Sequence, residues 1–250
     1  MQELGRVPRL YVSDRLEGGA EVALARGQAR YLLSVMRLRH GDRVRLFNGE
    51  DGEWLCEVAA TSKKSASAKC LQLICKPTPL PDIQYVFAPL KSARLDYLAQ
   101  KVTEMGACRL RPVFTDRTVP SKVNLERLKA NVIEAAEQCN LVALPEVDDP
   151  KKLESLLAGW DAERRIIYCD EADADSDALE VLHGVSTGPL AILIGPEGGF
   201  SDAERQRLRG LEYVIPISLG PRIMRADTAG VAALALVQAL HGDWRTDQRD

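Results

Sequence analysis

From Ile83 onward the chain alternates between two hydrophobic periods. Short apolar runs at Ile83–Ala88, Leu110–Phe114, Arg165–Cys169, Leu190–Ile194 and Tyr213–Ile217 predict buried strands. Between them, apolar residues recur at helical spacing. They predict helices at about Ser92–Met105, Leu125–Cys139, Leu153–Leu157, Ser201–Leu208 and Asp227–Leu240. Ser201-Asp202-Ala203-Glu204 has the form of a capping box and marks one helix start. Strands alternating with helices imply an α/β fold, a parallel sheet covered by helices on both faces.

The first 75 residues read differently. Short runs at Arg9–Val12, Arg43–Phe47, Trp54–Ala60 and Lys69–Cys75 predict strands, with one helical segment at Gln28–Met36. Asn48-Gly49-Glu50-Asp51-Gly52 is a hairpin signal. Such spacing suggests a small β-barrel. Pro77, Pro79 and Pro81 remove backbone donors and favour extended chain, so Lys76–Asp82 reads as a stiff linker. The expected domains are residues 1–76 and 82–243. The acidic tract Asp170–Asp177 reads as a solvated loop, and the tail Trp244–Asp250 as disordered.

Charge sharpens this division. The 250 residues carry a net charge of −3, which argues against a generic nucleic-acid binder. Residues 1–80 hold thirteen Lys/Arg against nine Asp/Glu, a balance of +4; residues 81–250 hold twenty against twenty-seven, a balance of −7. Arg26, Arg30, Arg37, Arg39, Arg43 and Arg45 fall within twenty residues. Such a patch suits phosphates, or is a solvated face. No apolar run is long enough to span a membrane, and the N-terminus lacks the apolar stretch of a signal peptide. Cys56, Cys70, Cys75, Cys108, Cys139 and Cys169 form no C-x-x-C, and His40, His183 and His241 are scattered. No metal site is expected, and reduced thiols in a cytoplasmic protein are.

Two turns carry the most information. Leu193-Ile194-Gly195-Pro196-Glu197-Gly198-Gly199-Phe200 and Ser218-Leu219-Gly220-Pro221-Arg222-Ile223-Met224-Arg225-Ala226-Asp227-Thr228-Ala229 each follow a predicted strand and lead into a helix. Open α/β sheets bind ligands in such crevices, and bare glycine backbone permits close approach. Neither turn is a Walker loop or G-x-G-x-x-G. In order and spacing they resemble the cofactor loops of the SPOUT methyltransferases, and in detail the RsmE family of bacterial small-subunit rRNA uridine-N3 methyltransferases. The resemblance covers nearly the whole chain. It includes Pro8–Val12, Val35–Asp42, Leu46–Gly49, Ser62–Lys64, Gln100–Gly106, Asp116-Arg117 and Glu134–Cys139. Three positions depart from the family pattern: Tyr31 replaces a usual His, Leu141 a usual Arg, and Asp227 a usual Glu.

The resemblance implies a deep trefoil knot, an N-terminal PUA- or OB-like RNA-binding barrel, a homodimer, and S-adenosylmethionine as cofactor. It implies 16S rRNA or the small ribosomal subunit as substrate. The cofactor candidates are Leu193, Ile194, Gly195, Pro196, Glu197, Gly198 and Gly199, with Leu219, Gly220, Arg222, Ile223 and Met224. Methyl transfer from a sulfonium needs nucleophile, carbon and sulfur in line, so positioning dominates. Uridine N3 must lose a proton, and the charge then spreads to O2 and O4. Arg225 is the candidate for stabilising that anion, or is held by Asp227 or Glu197. Glu197 is a candidate general base or a pocket-fixing residue, or water takes the proton. Asp227 completes the catalytic candidates. Arg9, Arg37, Lys91, Lys101, Arg117 and Arg222 are candidate RNA contacts, although Lys101 and Glu104 at i, i+3 can simply pair. A ribose 2′-O methyltransferase and a non-catalytic ribosome-assembly protein are the rival readings.

Overall fold

The computed structural model describes residues 4–62, 65–170 and 177–244. Lys63, Lys64, most of the acidic tract and the tail beyond Trp244 lie outside the described residues. Two compact units are present, Met1–Pro79 with Ala136–Leu144, and Leu80–Ala135 with Pro145–Asp250.

The first unit holds β1 (Arg9–Tyr11), β2 (Glu21–Ala23), α1 (Arg26–Arg30), β3 (Arg43–Phe47), β4 (Glu53–Ser62) and β5 (Ser65–Cys75). The sheet order is β1-β3-β4-β5-β2, parallel only at β1–β3. Leu10, Val22, Val44, Leu46, Cys56, Val58, Ala68 and Cys70 from all five strands meet in one core. The hairpin forms where expected: Asn48 Oδ1 accepts from the N–H groups of Glu50 and Asp51, an Asx turn. β2 is too short and too polar, with one buried residue, to stand out as a strand. The segment expected as a helix at Gln28–Met36 is α1 followed by a π-helical turn, Tyr31–Val35.

Arg9 requires a correction. It was expected at an RNA-facing surface, yet it is only 6% exposed. Its guanidinium pairs with Glu53 at 2.9 Å and donates to the carbonyls of Ala136 and Leu141. It also stacks 3.6 Å from the Phe47 ring centroid. Burial lowers its pKa, and Glu53 offsets that cost. All its donors face inward, so Arg9 is structural. Together with Glu137, which accepts from the Tyr11 N–H, it ties residues 136–144 to the first unit.

The second unit contains β6 (Ile83–Phe87), α2 (Ser92–Glu104), β7 (Arg109–Phe114), α3 (Leu125–Cys139, whose last residues belong to the first unit), β8 (Glu146–Val147), β9 (Lys151–Lys152), α4 (Leu153–Ala158) and β10 (Arg165–Cys169). It continues with α5 (Ala178–His183), β11 (Leu190–Ile194), α6 (Asp202–Arg209), β12 (Val214–Ile217) and α7 (Ala226–His241). The sheet runs β12-β10-β11-β6-β7-β8, with β9 beside β7, and every pairing is parallel. All five residues of β6 and of β11 are buried, as a sheet covered on both faces requires. Helix α5 follows the acidic tract and is capped by Asp177, whose side chain accepts from Leu179 and Glu180.

Helix α7 packs on α2 and β11. Gly230 lets it lie close to β6: a Cβ there would stand 2.0 Å from the Tyr85 hydroxyl oxygen. Buried Gln238 donates to the Met105 carbonyl at 2.6 Å, so this polar group is satisfied inside the core.

Candidate active site

Strands β12, β10 and β11 are parallel neighbours in near register, with Cys169 beside Ile217 and Tyr168 beside Leu193. Their carboxyl ends therefore open on one edge of the sheet, where α/β folds hold ligands. The cavity there is lined by Cys169 and Asp170 after β10, by Ile194–Glu197, Gly199 and Phe200 after β11, and by Ser218–Met224 after β12. Ala226 and Ala229 of α7 and Arg205 of α6 complete it. Both predicted loops thus line one pocket. Leu193 lies behind it, buried in the second unit's core.

The loop after β11 is built to hold its shape. Gly199 has φ +67 and donates to the Pro196 carbonyl. A Cβ at Gly195 would meet the Phe200 ring at 2.6 Å. Phe200 is buried edge-on against Tyr168, ring centroids 5.2 Å apart. Ser201 and Glu204 form the expected capping box of α6. Two residues after β7 clamp this loop: Asp116 accepts from the Ser201 hydroxyl at 2.6 Å, and Arg117 donates to the Gly198 carbonyl at 3.0 Å. Arg117 is therefore already engaged by the loop after β11.

The loop after β12 is more open. Gly220 has φ +98, and a Cβ there would meet nothing within 4 Å. Ile223 is 91% exposed. Arg222 is exposed at the rim. Arg225 is the N-cap residue of α7, and among the described residues its guanidinium makes no hydrogen bond or ion pair. Neither carboxylate named as its possible holder takes it. Glu197 pairs with Arg94 at 3.2 Å, and Asp227 accepts from the Thr228 N–H at 3.0 Å.

One lining residue, and one partner of a lining residue, escaped the sequence. Asp170 was read as the start of a solvated tract, but its side chain is 1% exposed and lines the cavity. Arg209 pairs with it at 2.8 Å, and Arg205 stands 3.9 Å away. Its position directly after a buried strand was the available signal. Arg94, the third residue of α2, had none. Burial pushes the Cys169 thiol up to about 12 and raises the Tyr168 phenol, keeping both neutral near pH 7.

The remaining candidates lie apart from the pocket lining. Lys91 is the exposed N-cap residue of α2. Lys101 pairs with Glu104 at 2.7 Å, which raises its pKa. In the first unit, Arg37 is exposed with φ +59. Among the described residues no cluster of His, Cys, Asp or Glu is arranged for a metal, and no helix is long and apolar enough to cross a membrane.

An RNA methyltransferase domain model matches residues 76–238, and an RNA methyltransferase PUA domain model matches residues 24–70. A ribosomal RNA small subunit methyltransferase E from Rickettsia conorii is 30% identical over 234 residues, 93% of this chain and 95% of that protein. The chain belongs to the ribosomal RNA small subunit methyltransferase E family. A Synechocystis member is 31% identical over 93% of this chain and 77% of its own length. The Neisseria gonorrhoeae methyltransferase E, solved bound to S-adenosyl methionine, superposes with a TM-score of 0.86 at 27% identity, covering 96% of this chain and 100% of that one. A Legionella pneumophila methyltransferase with bound cofactor SAM gives 0.84 at 28% identity, covering 95% and 99%.

Proposed function

We propose that this family member methylates N3 of a uridine in 16S rRNA of the small ribosomal subunit, with S-adenosylmethionine as donor. The observation that carries the reading is the single pocket formed by both glycine loops, with Arg225, unpaired among the described residues, standing in the chain between the lining residues Met224 and Ala226. The residues present fit the cofactor. Bare backbone at Gly195, Gly199 and Gly220, apolar walls at Ile194, Leu219, Ile223 and Met224, and the inward-facing Asp170 suit a ligand part nucleoside and part charged amino acid. The open space at the Gly220 Cβ position leaves room for a ligand against the backbone. Leu193 supports this wall from behind, and Pro196 with Gly198 holds the turn.

When bound, S-adenosylmethionine supplies an electrophilic methyl group on a sulfonium. Arg225, with no carboxylate partner among the described residues, is proposed to face O2 and O4 of the uracil. Its planar donors favour the N3 anion and so raise nucleophilicity. Glu197, oriented by Arg94, is proposed to accept the N3 proton. Asp227, in the first turn of α7, favours the helix N-terminus and is proposed to hold the Arg225 segment in place. Arg222, Lys91, Lys101 and Arg117 are proposed to meet RNA phosphates at the second unit, the last two while keeping their protein partners. Arg37 is proposed to do so on the first unit, the proposed RNA-binding domain.

The resemblance further implies that the two loops form a trefoil knot, that the enzyme is a cytoplasmic homodimer, and that the partner chain completes the site. The dimer has physical support. Beyond its buried stripe, α7 leaves Val231, Ala232, Ala235 and Leu236 only half-buried, a second apolar face.

Calorimetry with S-adenosylmethionine tests the pocket. Gly220→Val places a β-branched residue at φ +98. Such a conformation costs about 1–3 kcal/mol, and 1.4 kcal/mol is tenfold in affinity. Tenfold or weaker binding is expected. Undiminished affinity in a folded variant removes this loop from the site, and no binding by the wild type sinks the assignment.

A further inference from the structure

The first unit carries a surface the pocket does not explain. At the π-helical turn the Met36 N–H bonds to the Tyr31 carbonyl at 2.9 Å, an i→i+5 bond. The wider turn brings residues five apart onto one face, where an α-helix would separate them. Tyr31 and Met36 both line one cavity, together with Arg6 and Arg45, and all its lining residues belong to the first unit. Leu32, fully buried, anchors the turn from beneath.

Three large apolar residues stand exposed on this short segment: Tyr31 at 40%, Val35 at 64% and Met36 at 38%. Single exposed apolar residues are ordinary, but three within six residues of one short segment are not. The trio is flanked by Arg30 and Arg37, both exposed, and among the described residues neither makes a side-chain hydrogen bond or ion pair. Arg37 holds φ +59, a left-handed conformation uncommon outside glycine and asparagine. An exposed aromatic ring with exposed arginines before and after it in the chain matches one ligand chemistry. Single-stranded nucleic acid offers a flat base to stack and phosphates to pair.

We infer that Tyr31 and Met36 form a stacking platform for one unpaired base of the RNA substrate, with Arg30 and Arg37 on the flanking phosphates. The inference rests on the proposed action on rRNA and adds a base-holding site remote in sequence from the pocket. Tyr31 is then a positioning residue. It sets substrate affinity and leaves chemistry to Arg225 and Glu197.

The test is tritiated methyl transfer into purified small ribosomal subunits, with S-adenosylmethionine affinity measured on the same samples. Base–aromatic stacking losses correspond to about five- to hundredfold in affinity. Tyr31→Ala is expected to raise KM for subunits by that factor, with turnover at saturation and cofactor affinity kept. Tyr31→Phe is expected to stay within twofold of wild type, since the ring is retained. Arg37→Ala is expected to raise KM and to flatten its salt dependence. Wild-type KM in Tyr31→Ala overturns the platform while leaving the methyltransferase reading intact. A loss in Tyr31→Phe equal to that in Tyr31→Ala assigns the hydroxyl and overturns stacking. A wild-type protein that transfers no methyl group sinks the functional reading and the platform with it.

Discussion

Gly230 lies in the interior of α7, where helix propensity alone favours alanine by about 1 kcal/mol. The packing argues the opposite. An alanine Cβ would lie 2.0 Å from the Tyr85 oxygen, 2.9 Å from its Cζ and 3.3 Å from its Cε2. Tyr85 is fully buried, and the Phe87 ring sits 5.5 Å from it, so the phenol has little space to retreat. Overpacking costs about 1–3 kcal/mol or more when both partners are fixed. Clash outweighs propensity, and Gly230→Ala is expected to destabilise by about 1–2 kcal/mol. For a unit of this size that is roughly 2–8 °C in Tm. The Tyr85 hydroxyl has no hydrogen-bond partner among the described residues, and desolvation raises its pKa well above the usual phenol value. Tyr85→Phe alone is therefore expected to be neutral or stabilising, because it removes an unsatisfied buried group. In that background Gly230→Ala should cost about 1 kcal/mol less, since the closest contact is gone and the contacts to the ring carbons remain. Scanning calorimetry on the four proteins of this cycle measures the coupling. A Gly230→Ala variant more stable than wild type, or equal costs in both backgrounds, refutes the close approach of α7 to β6. The test bears on the site, because the same helix carries Ala226 and Ala229 into the pocket.

Three further outcomes follow from the geometry. Arg225→Ala should lower turnover about a hundredfold with cofactor affinity nearly unchanged, should recover partly at high pH, and should be poorly rescued by Arg225→Lys; a KM effect alone reassigns Arg225 to RNA positioning. The Leu16 N–H and the Asn48 amide hold the Asp51 carboxyl below its ordinary value, so its stabilisation is complete above about pH 4 and is lost as pH falls through the lowered folded-state pKa. Asp51→Asn should flatten the acid limb of a Tm-against-pH curve, and an unchanged limb contradicts this. Light scattering at micromolar concentration should give the mass of two chains, whereas a monomer sinks the proposed pairing of α7.

Most of the second unit was legible because its signals are local. A strand buried on both faces is a continuous apolar run, as in Leu190–Ile194, and a capping box is written in four adjacent residues, Ser201–Glu204. The two loops were legible for the same reason, since glycines at strand ends and a following helix start are contiguous. What was hidden depends on partners distant in the chain. Arg9 looks like any surface arginine until Glu53 and the carbonyls of Ala136 and Leu141 surround it. Asp170 looks solvated beside its acidic neighbours until Arg209 covers it, and Arg94 reveals nothing until Glu197 arrives from 103 residues away. The π-helical turn at Tyr31–Val35 replaces one helical period by a wider one, and no pattern in nine residues distinguishes the two.

The measurement that bears most directly on the function is the identity of the methylated nucleoside. Purified small subunits are incubated with the protein and labelled S-adenosylmethionine, digested to nucleosides and resolved by mass. Label is expected in 3-methyluridine, with fragmentation placing the methyl group on the base, and a large loss of label with Arg225→Ala. Label on the ribose, or no transfer by a protein that binds the cofactor, would contradict this.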